Sequence, residues 1–534
     1  MTQNINFKVK DLFEIYTKAK REIEEDFNSL ENFDHVNAFW KNILSKRDNF
    51  PSFSDTLSFL SNNSAFGLGK RTEGEIEQER KSYGDAAMII NKPEYNTILS
   101  RVSESIIGFP KFFTDNGNIG STSFTENMAS TIRLIELIDK HLKTKDQINI
   151  LEIGAGWGAV MHQILEYYGD RINKVAICDL HENLFISSFY LQSTFPERPV
   201  NYTPKEEKLS ANDNSLNFCS PTRIQNLDIT FDIVVNMISF QEMNIDVIDN
   251  YMSYIANHLA KGGVFYSENG IMINSNVQRA AKASDYGYTT YFNLLELGNG
   301  TRFCPHLFWG NKHVVLLTNK TDSHKNLSSK HLDSLCYLMN LRLDENINTL
   351  KSNYINKTLS QEELFLLDSV YDFYATTNRK LKKEILDKMN TSGDTLLHDY
   401  LLSLYYISQR KFNSALTQLN TIEEKLEGLV KINVLCYIGI LDKTKQLEIL
   451  KQIQQLSPEM YSTAEDIFRT CKKSKMNMVE KTLLQLNMDV KTWFGYSNYQ
   501  LQNIPLIIAN RIISKLENYL STIKRKTIVP YHLK

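Results

Sequence analysis

The chain has 534 residues, 42% of them hydrophobic, which is enough to bury a full core and too long for one typical domain, so two or three domains are expected. Its net charge of −2 gives no electrostatic case for nucleic acid. The six cysteines, Cys178, Cys219, Cys304, Cys336, Cys436 and Cys471, form no CxxC pair, which argues against a zinc site and against a disulfide framework.

Met1 to Tyr16 carries charges at short intervals among its apolar residues and has no secretory h-region. No uninterrupted apolar run approaches membrane length, so a cytoplasmic protein is the expectation. Residues 1–145 read as a helical N-terminal region. Apolar residues recur at helical spacing over Lys8–Phe27, at Val9, Leu12, Phe13, Ile15, Tyr16 and Ile23. A polar, turn-rich stretch follows near Asn62–Gly74, and Thr72–Arg80 is a charged helix candidate. Thr125–Leu142 is a clearer one, with Met128, Ile132, Ile135, Leu137, Ile138 and Leu142 facing inward.

The texture changes over residues 146–320. Short apolar runs, Ile148–Ile153, Val175–Cys178, Leu216–Cys219, Phe231–Met237, Gly263–Tyr266 and Val314–Leu317, alternate with helical patterns such as Val160–Tyr168, Glu182–Ser193 and Ile245–Leu259. Strands separated by helices imply a parallel sheet with helices on both faces. Either Val200–Thr203 or Leu216–Cys219 can serve as the third strand. From residue 321 to 534 strands disappear and a helical C-terminal domain is expected. Phe412, Ala415 and Leu419 recur loosely as Lys443, Gln446 and Leu450, with Pro458 closing the second unit. This loosely resembles tetratricopeptide-type helix pairs, although a generic helical domain is the safer reading. The basic residues Lys515, Lys524, Arg525, Lys526 and Lys534 read as a solvated helix end and tail in preference to a contact with a membrane surface.

The segment Ile148–Gly158 reads as a buried strand that breaks into a glycine turn and opens a helix. A helix N-terminus offers unpaired N–H groups and a positive dipole end, and glycines allow close approach of a ligand to the backbone. Gly154, Gly156 and Ala159 satisfy the loose GxGxxA pattern of dinucleotide binders, which by itself does not exclude NAD. Glu152 stands where dinucleotide binders keep an apolar residue, and an acid there can receive an ammonium group. Asp179 ends the next strand, where a carboxylate can accept two ribose hydroxyls. Phe231–Asn236 is followed by Leu259–Tyr266, which contains a Gly262–Gly263 pair. With these residues the sequence resembles the class I S-adenosylmethionine-dependent methyltransferases, whose fourth strand reads FD-apolar-apolar and whose fifth follows an LxxGG turn. That resemblance implies an α/β fold, a doubly wound Rossmann-like seven-stranded core with a helical N-terminal region and an all-α C-terminal domain. It implies S-adenosylmethionine as cofactor, held by Glu152, Gly154, Ala155, Gly156 and Gly158 at the methionine end. Asp179 and Leu180 would lie at the ribose, and Asn236 near the transferring methyl group. The competing reading is a Rossmann-like core that has lost its cofactor, but no glycine or acid of the motif is missing.

A narrower resemblance rests on Asn236–Met243, Ser123–Leu137 and Cys304–Trp309. Over about residues 100–318 the chain is similar to a sugar O-methyltransferase family of bacterial glycan and natural-product pathways. That resemblance implies methyl transfer to a sugar hydroxyl of a glycan or nucleotide sugar, as in polysaccharide biosynthesis. An alcohol is a poor nucleophile at neutral pH, so a base is needed beside it. Glu242 and His306 are the candidates, with Gln241 orienting the hydroxyl and Phe303, Phe308 and Trp309 near His306. Glu242 could instead cap the helix beginning near Asn244, and His306 could be a satisfied histidine at a strand edge. His181 falls nearer the ribose. The aromatic group Tyr286, Tyr288, Tyr291 and Phe292 is core in preference to an acceptor platform. Glu242, Asn244 and Asp246 would be splayed by a helix, so no metal is expected. The partners expected are a sugar or glycan acceptor and, through the C-terminal helices, a long glycan or a protein. A methyltransferase for another small-molecule or protein acceptor is one alternative. A non-catalytic scaffold for the helical domain is the other.

Overall fold

The apolar runs of the middle region assemble into one eight-stranded sheet in the computed structural model. The structure describes residues 9–27, 52–61, 93–102, 107, 126–237, 239–270, 283–299, 312–320, 328–341, 347–376, 378–390, 395–409, 411–426, 428–456, 464–465 and 468. The strands are β1 (Ile148–Ile153), β2 (Ile172–Cys178), β3 (Val200–Tyr202), β4 (Leu216–Cys219), β5 (Phe231–Met237), β6 (Leu259–Gly270), β7 (Phe292–Asn299) and β8 (Lys312–Asn319). Their order is β3-β4-β2-β1-β5-β6-β8-β7. All pairings from β3 to β6 are parallel, and β8 runs antiparallel to both β6 and β7.

The chain therefore steps outward from β1 to β2 and β4, then returns to β5 on the other side of β1. This reversal is the topological switch point of a doubly wound sheet, and the crevice at the carboxyl ends of β1 and β5 is where such sheets take ligands. Parallel strands covered on both faces must be apolar throughout, which is why β1, β2 and β5 lack strict alternation. Ile150, Val175, Ile177, Ile233 and Val235 face one core, and Leu151, Ile153, Ala176, Cys178 and Val234 face the other.

The sheet differs from the seven-stranded expectation in one strand. Leu216–Cys219 takes the place beside β2, and Val200–Tyr202 adds outside it as a three-residue edge, with Asn201 Nδ2 donating to Asn217 Oδ1 at 2.9 Å. Both candidates for the third strand are thus strands. β7 has no counterpart among the apolar runs read from the sequence. Its register shifts between Leu294 and Glu296, a bulge that breaks the period-two pattern on which a strand is recognised.

The first core is closed by helices Val9–Phe27, Glu126–His141, Ala159–Tyr168 and His181–Thr194. Tyr16 of the first helix packs edge-on against Phe53 and Phe185, which locks the N-terminal helix onto His181–Thr194. The second core is closed by Ile245–His258 and then by the C-terminal helices, beginning with Ser329–Leu341. Helices Ile347–Asn356, Gln361–Ala375, Arg379–Asn390, Thr395–Ser408, Phe412–Glu423, Gly428–Leu441 and Gln446–Leu456 follow. From Gln361–Ala375 onward each of these packs on the next. Ser360 and Glu363 form a reciprocal capping box at the start of Gln361–Ala375. Ala415 and Leu419 lie on the buried side of their helix, as do Gln446 and Leu450 on theirs, whereas Lys443 is exposed. No described helix is long and apolar enough to cross a membrane. Asn62–Gly74, Thr72–Arg80, Cys304, Pro458, Cys471 and the basic residues from Lys515 onward lie outside the described residues.

Candidate functional site

β1 ends at Ile153, and the turn that follows takes left-handed backbone at three positions, φ +76° at Gly154, +58° at Gly156 and +88° at Gly158. L side chains rarely adopt this region, so glycine is required at these points. A Cβ on Gly154 would also overlap the side chain of Ser239. The Gly154 N–H donates to the Cys178 carbonyl at 2.8 Å, and the Gly158 N–H to the Ala155 carbonyl at 3.0 Å. Gly158 stands at the N-cap position of Ala159–Tyr168 and has no side chain to cap it. The positive end of that helix therefore meets the crevice without a competing side-chain acceptor at its cap.

Asp179, directly after β2, is buried and latches the turn. Its Oδ2 accepts the Gly156 N–H at 2.8 Å, and its Oδ1 accepts the Leu180 N–H at 2.7 Å and Asn183 Nδ2 at 3.2 Å. The sequence reading gave Asp179 a ligand only. The structure adds that it holds the glycine turn against the end of β2. His181 is buried at the first turn of His181–Thr194.

Glu152 lies in β1 between Ile177 of β2 and Val235 of β5, and it is buried. Its Oε2 has no hydrogen-bond partner among the described residues. Burial, followed by the nearby negative charge of Asp179, raises its pKa from 4.5 to about 8. A buried carboxyl with an orphaned oxygen and a neighbouring acid is a site that a cation would satisfy. The ammonium of an amino-acid ligand fits this position, and its carboxylate fits the helix N-terminus. With Asp179 beside them, these residues fit the methionine and ribose parts of S-adenosylmethionine.

On the other side of the switch point, the end of β5 is tied down by buried amides. Asn236 Nδ2 donates to the Ile153 carbonyl at 2.9 Å and to Ser239 Oγ at 2.6 Å. Its Oδ1 accepts the Phe240 N–H at 3.3 Å and Asn269 Nδ2 at 2.9 Å. Asn269 Nδ2 also donates to Ser267 Oγ at 2.8 Å, and its Oδ1 accepts the Gln241 N–H at 3.2 Å. Ser267 Oγ shares a hydrogen bond with Tyr288 OH at 2.7 Å. Ser267 and Asn269 were not singled out from the sequence, Ser239 was noted only within the stretch Asn236–Met243, and Tyr288 was read as core in preference to an acceptor platform. The signal present was two polar residues, Ser267 and Asn269, spaced by two at the end of the apolar run Val264–Tyr266.

Gln241 sits in the short helical turn Phe240–Glu242, immediately after these amides. Glu242 closes the same turn, but its side chain lies outside the described residues, as do Phe303, His306, Phe308 and Trp309. Asn244 occupies the N-cap position of Ile245–His258, without a side-chain capping bond. Tyr286 and Tyr288 are fully buried and stack with ring centroids 5.3 Å apart, and Phe292 is buried near Phe265. These three are packed into the core and are not a platform open to an acceptor. Tyr291 reaches Asp249 with its hydroxyl at 2.8 Å. Among the described residues, no group of three or more His, Cys, Asp or Glu is arranged to hold a metal.

No family model matches the chain, and no curated protein matches it in sequence. Solved structures are similar to a part of the chain. An S-adenosylmethionine-dependent methyltransferase from Clostridium acetobutylicum is 14% identical, covers 37% of this chain and 93% of its own, and has a TM-score of 0.28. The magnesium protoporphyrin IX methyltransferase of Synechocystis with bound SAH is 11% identical over 38% of this chain and 90% of its own, with a TM-score of 0.26. The mitomycin 7-O-methyltransferase is 8% identical over 37% of this chain and 55% of its own, also with a TM-score of 0.26.

Proposed function

We propose that this chain is an S-adenosylmethionine-dependent methyltransferase whose acceptor is a sugar hydroxyl of a glycan or nucleotide sugar. The observation that carries the cofactor half is Glu152, a buried carboxyl whose Oε2 has no partner among the described residues, next to a glycine turn that opens a helix. S-adenosylmethionine would supply an electrophilic methyl group on sulfur. The chain's own residues supply binding and orientation. Glu152 receives the ammonium, the turn of Gly154, Ala155, Gly156 and Gly158 lets the carboxylate end approach the N-terminus of Ala159–Tyr168, and Asp179, with Leu180 beside it, faces the ribose. Asn236 lies at the carboxyl end of β5, across the switch point.

The acceptor half rests on the resemblance of Asn236–Met243 and on the position of the Phe240–Glu242 turn at the ligand-binding edge. Gln241 orients the hydroxyl, and Glu242 or His306 takes its proton, so that the oxygen can attack in line with the methyl–sulfur bond. In this reading the C-terminal helices handle a long glycan or a protein partner.

Calorimetric titration with S-adenosylhomocysteine tests the cofactor half. Binding by the wild type that is lost in Asp179→Ala supports it, and no binding by the wild type refutes it. Incubation with S-adenosylmethionine and a panel of nucleotide sugars and glycans, read by mass spectrometry for an added methyl group, tests the acceptor half. Methylation of a non-sugar acceptor alone would overturn the sugar assignment and leave the cofactor assignment standing.

A further inference from the structure

We infer that Asn269 is a positioning residue that sets the catalytic turn Phe240–Glu242 relative to the glycine turn, through a buried amide relay with Asn236. The inference rests on the methyltransferase reading above. Asn269 and Asn236 are both wholly buried, at the carboxyl ends of β6 and β5. Burying two carboxamides in a core costs free energy unless every donor and acceptor is used. Here each end of each amide is used, and the bonds all lead to one place.

Asn269 Oδ1 takes the Gln241 N–H and Asn236 Oδ1 takes the Phe240 N–H, so two successive backbone amides of the turn are pinned. Asn236 Nδ2 then carries the connection to the Ile153 carbonyl and to Ser239, whose side chain fills the space above Gly154. The turn that bears Gln241 and Glu242 is thereby referenced to the last residue of β1, where the glycine turn begins. Ser267 and Tyr288 hold Asn269 from behind. The orientation of each amide is fixed, because the Gln241 and Phe240 N–H groups can only donate. An aspartate at 269 would place an oxygen against Asn236 Oδ1, where the native amide donates at 2.9 Å. Asn269→Asp is therefore nearly isosteric but breaks the relay at its centre.

Two measurements test the inference. In Asn269→Asp, hydrogen exchange at the Phe240 amide is expected to accelerate, because the new oxygen repels its acceptor Asn236 Oδ1, while Gln241 N–H keeps an oxygen acceptor at 269 and the amides of β1, β5 and β6 keep their protection. S-adenosylhomocysteine affinity is expected to stay near wild type. With S-adenosylmethionine and the acceptor found in the nucleotide-sugar and glycan panel, kcat is expected to fall about ten- to about a hundred-fold, the size of effect produced by a misplaced reacting group. KM for S-adenosylmethionine should change little. Ser267→Ala removes one support of Asn269 without putting a charge in the core, and it should give a smaller change in the same direction. This second variant keeps the test available if Asn269→Asp fails to fold. Unchanged exchange at Phe240, or wild-type kcat in both variants, overturns the inference. The exchange measurement needs no acceptor. A chain that neither binds S-adenosylhomocysteine nor methylates anything refutes the proposed function, whereas a Phe240 amide that stays protected in the variants refutes the relay.

Discussion

Replacing Glu152 with glutamine tests the electrostatics of the crevice without any ligand. In the folded chain burial and Asp179 raise the Glu152 pKa from 4.5 to about 8. The native state therefore holds this proton after the unfolded chain has released it. Stability from the protonated carboxyl is fully present below pH 4.5 and is lost as pH rises through that interval to about 8. At about 1.4 kcal/mol per pKa unit, the loss is on the order of 5 kcal/mol. His162 works the other way. Burial beside Tyr190 lowers its pKa from 6.5 to about 3, so its contribution is present above pH 6.5 and is lost as pH falls. The two slopes oppose each other between pH 4.5 and 6.5, and Glu152 acts without that opposition between pH 6.5 and 8. His162 is common to both proteins, so its effect cancels in the difference between wild type and Glu152→Gln. Urea unfolding across pH 4.5 to 8 should show the variant gaining steadily on the wild type, by several kcal/mol at the alkaline end. A difference that does not change with pH would refute the reasoning. A cation bound at Glu152 would ionise it, so S-adenosylhomocysteine binding near pH 7 should release close to one proton in the wild type and none in the variant. Calorimetry in buffers of different ionisation enthalpy reads this directly.

Three further outcomes follow from the same geometry. Gly154→Ala combines left-handed backbone with overlap on Ser239, and each effect alone costs on the order of 1–3 kcal/mol. Urea unfolding should show both losses, and pairing it with Ser239→Gly should recover the overlap part only. Asp179→Ala leaves the Gly156 and Leu180 N–H groups without their acceptor. S-adenosylhomocysteine affinity should fall at least about tenfold, since charge-assisted bonds of this kind contribute about 1.5–3 kcal/mol; unchanged affinity would remove Asp179 from the site. Asp333→Ala deprives the Ser284 N–H and hydroxyl of acceptors at 2.8 and 2.6 Å. It should lower the urea midpoint by an amount worth about 1–3 kcal/mol without changing ligand affinity.

The doubly wound core could be read from the sequence because its signals are local. β1, β4 and β5 begin and end where their apolar runs do, and the helices Ala159–Tyr168, His181–Thr194 and Ile245–His258 follow them within a residue or two. The glycine turn was legible because positive φ at Gly154, Gly156 and Gly158 can be met cheaply by only one residue type. β7 was missed because its bulge destroys the alternation, and its leucines suit a helix equally well. The amide relay was missed for a different reason. Asn236, Ser239, Ser267 and Asn269 come from two strands and a turn, and only the register that pairs Asn236 with Ser267 brings them together. A polar residue at a strand end has many readings until its neighbour across the sheet is known. The latch role of Asp179 was hidden in the same way, since its partner Gly156 precedes it by a whole helix.

The helical C-terminal region cannot be treated as an appendage of the sheet, because the second core runs through both without a break. Ser329–Leu341 packs on the turn Ala283–Tyr286 and on β7, and Ile347–Asn356 packs on β7 as well. Leu332, Leu335, Leu350 and Tyr354 are buried in the same cluster as Tyr286, Leu294 and Leu297. A chain ended after Lys320 would uncover those sheet-side residues. At the low end of about 1.5 kcal/mol for each large apolar side chain returned to water, exposing Tyr286, Phe292, Leu294 and Leu297 costs about 6 kcal/mol. That is comparable to the whole net stability of an ordinary domain, about 5–15 kcal/mol. The shortened chain is therefore expected to aggregate or to unfold without a cooperative transition, while the full chain stays monodisperse under the same conditions. If residues 1–320 instead give a soluble species with a sharp urea transition and full S-adenosylhomocysteine affinity, the helices only shield the sheet and their removal is tolerated. If they are required, substitutions inside Ser329–Leu341 should disturb β7 and the adjoining Tyr288–Ser267–Asn269 bonds, which connect this core to the turn that carries Gln241.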